Sequence, residues 1–309
     1  MKIIFIGGVK FSHAILEKIL SENFSVEVIF SYNESKKIFY SDMTSFDDLS
    51  QKYMIKNVKV NNINDEENIK LINEIQPDII FVFGWSQLLK NEILKIPKLG
   101  VIGSHPTELP KYRGRAPIPW SIIKGLKESA LTFFYISPGI DDGDILSQET
   151  FQITPIDDAT SIYQKMIELG KKMICECLPL LETGMAKRIS QNPENFIENW
   201  PKRTPEDGRI DWTKSAKEIN TLIRATTHPY PGAFTYFKNS KIIIWKSIIL
   251  DSTSEGVGKI MNIVKNQIHV GTGSNILIIT DYTIDYQINN KNCKLDQIKE
   301  NNIGSFFDK

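Results

Sequence analysis

Cysteine is nearly absent from this chain: Cys175, Cys177 and Cys293 are the three in 309 residues. The number is odd, two of them stand one residue apart and no Cys-x-x-Cys occurs, so neither a disulfide framework nor a zinc site is indicated. Buried free thiols in a reducing compartment are the expectation. A dominant charge sign is lacking too. Lys plus Arg and Asp plus Glu both total 37, so no global field draws the chain to nucleic acid or to a membrane surface, and only local patches remain to consider. The opening apolar run, residues 3–6, is too short for a signal segment or a membrane span and stops at Gly7-Gly8. A cytoplasmic protein without membrane contact is expected. Gly7-Gly8 also lacks the spacing of a dinucleotide fingerprint and reads as a tight turn. Internal repeats and low-complexity runs are missing as well.

What the sequence holds is a globular composition. Hydrophobic residues are 41% and charged residues 24%, enough for a sizeable core in one large domain or two ordinary ones. Residues 2–6 read as a buried parallel strand and 12–20 as a helix, with Phe11, Ile15 and Ile19 recurring every four on its buried face. Residues 26–30 give a second strand. Residues 78–83, DIIFVF, are nearly all apolar, as a strand covered on both faces should be. A crossover helix over 66–75 lies between them. Residues 131–137 supply a further strand, and Ile162, Met166, Leu169, Met173 and Cys177 step along a helix that starts near Asp158 or Thr160. Alternating strands and helices predict an α/β, doubly wound sheet.

Residues 191–205 change character, with Pro193, Pro201 and Pro205 among Asn, Glu and Lys, and read as a linker. A short helix over 216–225 follows. Short strands over 234–237, 242–245, 259–264, 268–270 and 276–280 come next, with Asn239-Ser240 and residues 271–274 as turns. Such a run suggests a small barrel.

The chemistry concentrates in residues 100–117, GVIGSHPTELPKYRGRAP. Val101-Ile102 is a short apolar run that ends at Gly103-Ser104-His105. A Pro-punctuated loop and the basic turn of Arg113, Gly114 and Arg115 follow, and Pro117 suits the first position of a helix. Strand, polar loop, then helix is where an α/β sheet places ligands. A second cluster, Asp141-Asp142-Gly143-Asp144, follows another apolar run. A histidine and a carboxylate on neighbouring strand ends make an acid–base pair. The spacing of an EF-hand loop is missing, which removes a calcium reading.

These residues also carry a resemblance. GVIGSHPTELPKYRGRAPIPW, then GIDDGDIL, RTPEDGRIDW and RATTHPYPGAFTYF, in this order, resemble the 10-formyl-tetrahydrofolate-dependent formyltransferases, most of all the sugar N-formyltransferases such as the domain acting on UDP-4-amino-4-deoxy-L-arabinose. The resemblance implies a Rossmann-like catalytic domain over 1–200 and an OB-like β-barrel subdomain over 201–309. It implies a cytoplasmic enzyme that formylates the amine of a UDP- or dTDP-linked amino sugar for surface polysaccharide synthesis, without a metal. The oligomeric state stays open, a homodimer among the options.

By the same resemblance His105 and Asp141 are catalytic. The amine attacks the formyl carbon, protonated His105 donates to the oxyanion, and Asp141 holds the imidazolium and helps move the proton. Phe83, Gly84, Trp85, Gln87, Leu88 and Asp144 are implied for the folate, Leu88 giving apolar contact. Gly8, Lys10, Pro106, Arg113, Gly114, Arg115 and Tyr230 are implied for the substrate. Arg113 and Arg115 suit a diphosphate clamp, a solvated basic loop being the lesser alternative. Tyr230, Phe234 and Trp212 read equally well as packing. His13 and His269 read as structural, and His228, in a turn, as structural or cleft-bordering.

One departure stands out. The family usually has Asn where this chain has Gly103. Positions two apart in a strand point the same way, so that Asn would sit beside the histidine. Loss of one oxyanion donor costs roughly 3 kcal/mol, and glycine is expected to leave space for a water or a closer substrate. Two other readings stay open: methionyl-tRNA formyltransferase, and a non-catalytic binder of folate or nucleotide sugar, with a formyl-tetrahydrofolate hydrolase as a weaker third. Against tRNA stands the loop over 31–50, where Lys36 and Lys37 face Glu34, Asp42, Asp47 and Asp48.

Overall fold

A computed structural model describes residues 1–33, 42–285 and 298–308. Five strands, β1 (Ile3–Gly7), β2 (Val26–Tyr32), β3 (Lys56–Val60), β4 (Ile79–Phe83) and β5 (Val101–His105), run parallel. After β6 (Tyr112–Gly114), β7 (Glu128–Tyr135) pairs antiparallel with β5, and β8 (Ile145–Gln152) antiparallel with β7. The sheet order is β3-β2-β1-β4-β5-β7-β8. The chain therefore reverses direction across the sheet between β1 and β4, the switch point at whose carboxyl ends open α/β sheets take ligands.

Alternation within the strands fixes the two faces. Ile4, Ile6, Phe30, Ile80 and Val82 pack with Ile72 of the helix α3 (Glu66–Ile75). On the other face the Phe83 ring lies 4.9 Å from Phe133 and 6.2 Å from Phe11 of the helix α1 (Lys10–Ser21). β1 and β4 are buried along their whole length, which is why both read as unbroken apolar runs. The helix α1 begins two residues before the expected Ser12. The Ser12 hydroxyl, inside the first turn, accepts hydrogen bonds from the Gly8 and Val9 N–H groups at 3.1 and 3.0 Å and so satisfies amides the helix start leaves open.

Residues 191–205 are not a free linker. They contain a 3-10 turn, Pro193–Asn195, and the strand β9 (Glu198–Trp200), which pairs in parallel with β6. Trp200 is buried and stacks on Tyr112 at 4.7 Å. Composition alone conceals this, because one buried tryptophan anchors an otherwise polar segment.

The chain divides into two compact units. One comprises residues 1–117, 127–153 and 162–201; the other comprises 118–126, 154–161 and 202–309. The second holds the OB-like part. Its strands β10 (Ala233–Phe237), β11 (Ser240–Leu250), β12 (Ile260–Val264), β13 (Gln267–Gly271) and β14 (Ile276–Asp285) form an antiparallel sheet in the order β10-β11-β14-β13-β12. Register shifts around Lys246 bend the long β11 against β14. Trp212, fully buried, stacks on Phe307 at 5.3 Å and donates its indole N–H to the Thr235 hydroxyl at 3.1 Å. Phe234 is equally buried, so both aromatics are packing residues of this unit. The β10–β11 turn centres on Lys238-Asn239, with φ of 47° and 64°, rather than on Asn239-Ser240. Ser240 already pairs with Phe237, as a two-residue hairpin requires.

Candidate active site

β5 ends on His105, and strand parity decides where its ring goes. Val101, Gly103 and His105 share one face, with Val82 beside Gly103 and Thr132 opposite His105. The ring is 5% exposed. Its Nε2 lies 3.1 Å from the Tyr112 carbonyl oxygen. Only an N–H can satisfy a carbonyl, so Nε2 carries the hydrogen and Nδ1 faces Asp141, 3.6 Å from Oδ2. Burial pushes the His105 pKa below its ordinary 6.5; Asp141 and the Tyr112 carbonyl work against that shift, and the Arg113 charge adds to it. The ring is neutral near neutral pH.

The loop that brings Tyr112 to the ring is stitched to its neighbours. Thr107 donates its hydroxyl to the same Tyr112 carbonyl. Thr132 donates to the Thr107 carbonyl at 2.6 Å, and the Gln148 amide donates to the Leu109 carbonyl and to the Thr132 hydroxyl at 3.0 and 2.8 Å. The Thr132 and Gln148 bonds to the Thr107 and Leu109 carbonyls tie loop to sheet.

Asp141 sits after β7 in the left-handed region, φ 51°, which a non-glycine residue holds only with support. The Gly114 N–H approaches its Oδ2 at 3.4 Å. The Gln191 amide donates to the Asp141 and Gly143 carbonyls at 2.8 and 2.7 Å, and its carbonyl accepts from Arg113 Nη2 at 2.8 Å. Asp142 accepts from Ser137, and Asp144 from Ser190 at 3.0 Å. Of the three carboxylates, Asp141 is the one within ion-pair reach of His105.

Gly103 does not border open space. A Cβ placed there would lie 3.0 Å from both Cγ1 and Cδ1 of Ile136 and 3.4 Å from the Phe134 ring. The volume expected to hold a water is filled by Ile136, the first residue past β7.

At the end of β4 the arrangement is different. Phe83 turns its side chain into the core, leaving only backbone for a ligand. Gly84 takes φ 56°. Trp85 stacks on Tyr32 at 3.8 Å and 7°, with its indole N–H buried and without a hydrogen-bond partner. The same Tyr32 ring explains Gly8, whose Cβ would stand 2.1 Å from it; close approach, not a left-handed turn, requires glycine there. Gln87 is already engaged, accepting from Ile63 N–H at 3.0 Å and donating to the Asn61 carbonyl at 2.6 Å. Leu88 is 76% exposed.

Lys10 and Arg115 are exposed, and Pro106, Arg113 and Gly114 are half-buried. Tyr230 belongs to the second unit and is half-buried there; His228 of the same unit is exposed and stacks on Trp245 at 4.0 Å. His13 pairs with Asp48 at 2.9 Å. Cys177 is buried, its thiol pushed up to about 11 by that burial, Cys175 is half-buried and free, and Cys293 lies outside the described residues. Among the described residues no three His, Cys, Asp or Glu side chains converge as metal ligands, and no helix is long and apolar enough to cross a membrane. Sequence reasoning missed three contributors: the Tyr112 carbonyl, Ile136 and Gln191. Only Ile136 left a trace, as a branched residue continuing the strand beside a glycine.

The fold is an open, mostly parallel α/β sheet, the class that takes ligands at the carboxyl ends of its strands, and there a buried histidine stands beside a half-buried carboxylate. Residues 1–178 match the family model described as formyl transferase, and residues 202–292 match the formyl transferase C-terminal domain. The chain belongs to the formyltransferase family, enzymes that transfer formyl groups. It is 34% identical over 287 residues to methionyl-tRNA formyltransferase of Clostridioides difficile, covering 91% of each chain. It is 39% identical over 228 residues to the bifunctional polymyxin resistance protein ArnA of Wigglesworthia glossinidia brevipalpis, which takes in 74% of this chain and 34% of that protein. Among solved structures, the N-formyltransferase of Helicobacter canadensis, in complex with folinic acid and dTDP-3-aminofucose, superposes with a TM-score of 0.68 at 19% identity, over 92% of this chain and 100% of that one. WlaRD, a sugar 3N-formyl transferase with dTDP and 5-N-formyl-THF, gives 0.67 at 22% identity, over 90% and 97%.

Proposed function

We propose that this formyltransferase moves the formyl group of 10-formyl-tetrahydrofolate to the amine of a nucleotide-linked amino sugar, in the cytoplasm, with His105 and Asp141 as its acid–base pair. The observation that carries this is the pair itself, the buried His105 with Nδ1 facing Asp141 Oδ2 at 3.6 Å at the carboxyl end of β5. The β4 end fits the folate: the unpartnered Trp85 indole N–H is a donor awaiting an acceptor, the backbone of Phe83 and Gly84 can read polar ring edges, and Leu88 offers apolar contact. Gln87 keeps its loop in place, and Asp144 borders the same cluster. The sugar nucleotide falls to Gly8, Lys10, Pro106, Arg113, Gly114 and Arg115 of the first unit. Likeness to enzymes whose solved complexes contain dTDP or dTDP-3-aminofucose supports the sugar class.

The folate supplies the formyl carbon. Because His105 is neutral, Nδ1 can take a proton from the attacking nitrogen before it gives one, and Asp141 stabilises the imidazolium that results. The Tyr112 carbonyl holds the Nε2–H and so keeps Nδ1 as the working atom. Return of that proton to the leaving nitrogen closes the cycle.

Methionyl-tRNA formylation is the second reading, favoured by relatives of that name that match 91% of the chain. Against it, the stretch after β2 that would need cationic surface carries Asp42 and then Asp47 and Asp48, which open a short helix, Asp47–Tyr53; Glu34, Lys36 and Lys37 lie outside the described residues. The deciding experiment offers 10-formyl-tetrahydrofolate with a panel of UDP- and dTDP-linked amino sugars and, separately, Met-tRNA, and weighs the products. One formyl group added to an amino sugar is expected. Efficient formylation of Met-tRNA with a steep loss on adding salt would establish the second reading instead.

A further inference from the structure

We propose that Gln191 is a positioning residue that sets the Asp141 carboxylate against His105. This rests on the acid–base reading above. The Asp141–Asp144 turn departs from extended backbone at its first residue, φ 51°, and one side chain bridges it from fifty residues further along the chain. Gln191 uses both amide hydrogens on the turn, at the Asp141 carbonyl (2.8 Å) and the Gly143 carbonyl (2.7 Å). Its carbonyl takes the Arg113 Nη2 hydrogen at 2.8 Å. Arg113 belongs to β6, whose preceding residue Tyr112 supplies the carbonyl that holds His105 Nε2.

Gln191 therefore joins both supports of the catalytic histidine, the strand that fixes one ring nitrogen and the turn that faces the other. A glutamine suits this place because it donates twice and accepts once while uncharged. A glutamate would leave two carbonyls without donors, and a lysine would place a second cation beside Arg113. On the other side, Gly143 packs against the end of β7: a Cβ there would lie 1.8 Å from the Tyr135 carbonyl oxygen. The turn is pinned between that carbonyl and the Gln191 amide.

The charged groups that act on His105 are Asp141, which favours its protonated form, and Arg113, which opposes it. If Gln191 aims Asp141, its loss weakens the favourable partner. The chain has four histidines, so the His105 imidazole signal can be followed by NMR in the free protein without any substrate. The test compares wild type, Gln191→Leu, Gln191→Asn and Asp141→Asn. In Gln191→Leu the His105 titration midpoint is expected to fall, in the direction Asp141→Asn moves it. Turnover of 10-formyl-tetrahydrofolate with UDP-4-amino-4-deoxy-L-arabinose should fall about 100-fold at nearly constant KM, the scale of a misplaced reacting group. Gln191→Asn, which keeps the amide on a shorter arm, should lie between the two.

An unmoved midpoint in both Gln191 variants would overturn the proposal, as would a turnover loss whose pH profile stays at the wild-type position, the mark of a merely smaller folded fraction. If Gln191→Leu does not fold, the Asn variant carries the same readout. Should Asp141→Asn itself leave turnover intact, the acid–base reading fails. A wild-type Gln191→Leu beside a dead Asp141→Asn sinks this inference alone.

Discussion

The loops that follow β4 and β5 leave neighbouring parallel strands of one sheet, yet they are built in opposite ways. After β5, the proposed acid–base groups are held by hydrogen bonds: buried His105 between a carbonyl and a carboxylate, Tyr112 by Thr107, Asp141 through Gln191. After β4, side chains are left uncommitted, with a buried, unpartnered indole N–H on Trp85 and a Leu88 that is 76% exposed. On the function proposed above, the difference separates two tasks. Proton transfer needs fixed geometry before substrate arrives, whereas a binding wall leaves its polar and apolar contacts to be completed by the ligand.

Substitutions on either side sharpen that contrast. The largest effect belongs to the held loop. His105→Asn and Asp141→Asn should each lower kcat by about 100- to 10,000-fold, the range of general acid–base catalysis, while nucleotide-sugar affinity stays within a few-fold; calorimetry beside turnover measures both. Next comes Gly103→Asn. The new side chain must displace Ile136, and overpacking of this kind costs about 1–3 kcal/mol. Denaturant unfolding should show that loss, and a smaller one when Ile136→Ala is made first. A gain in activity from Gly103→Asn alone would mean that the pocket has room the packing denies.

Trp85→Phe probes the open loop. The stack on Tyr32 survives, the unpaired N–H goes, and folate affinity should drop by roughly 3- to 10-fold, one neutral hydrogen bond, without loss of stability in the free protein. Leu88→Ala should alter stability by less than about 0.5 kcal/mol, as exposed sites do, and weaken only folate binding. The smallest effect is on stability against pH. Burial holds the His105 pKa below 6.5 in the folded chain, so the unfolded state binds that proton first. The contribution is present above pH 6.5 and lost as pH falls through the folded value. His105→Asn should flatten that limb in a melting series.

Sequence reading reached the strands that are apolar on both faces, and it singled out His105 and Asp141, which the structure brings within 3.6 Å, through their place after such strands and through the family motifs. It did not reach β3, whose KNVKV alternates lysine with valine in an edge strand, nor β9, which rests on one tryptophan. Gln191 was hidden for a different reason. A side chain that works by three hydrogen bonds to distant backbone and one arginine leaves no periodicity and no spacing. At Gly103 the residue type was legible, but the volume beside it was not, because Ile136 enters that space only once β5 and β7 are paired.

The central claim is that His105 and Asp141 act as one unit. Its most direct test is kcat for the two single variants and the double variant His105→Asn/Asp141→Asn, measured together on the formylated amine. Groups that share one proton path are strongly non-additive, so the double variant should be no slower than the slower single one. Losses that multiply, or a single variant with near-wild-type kcat, would contradict the account.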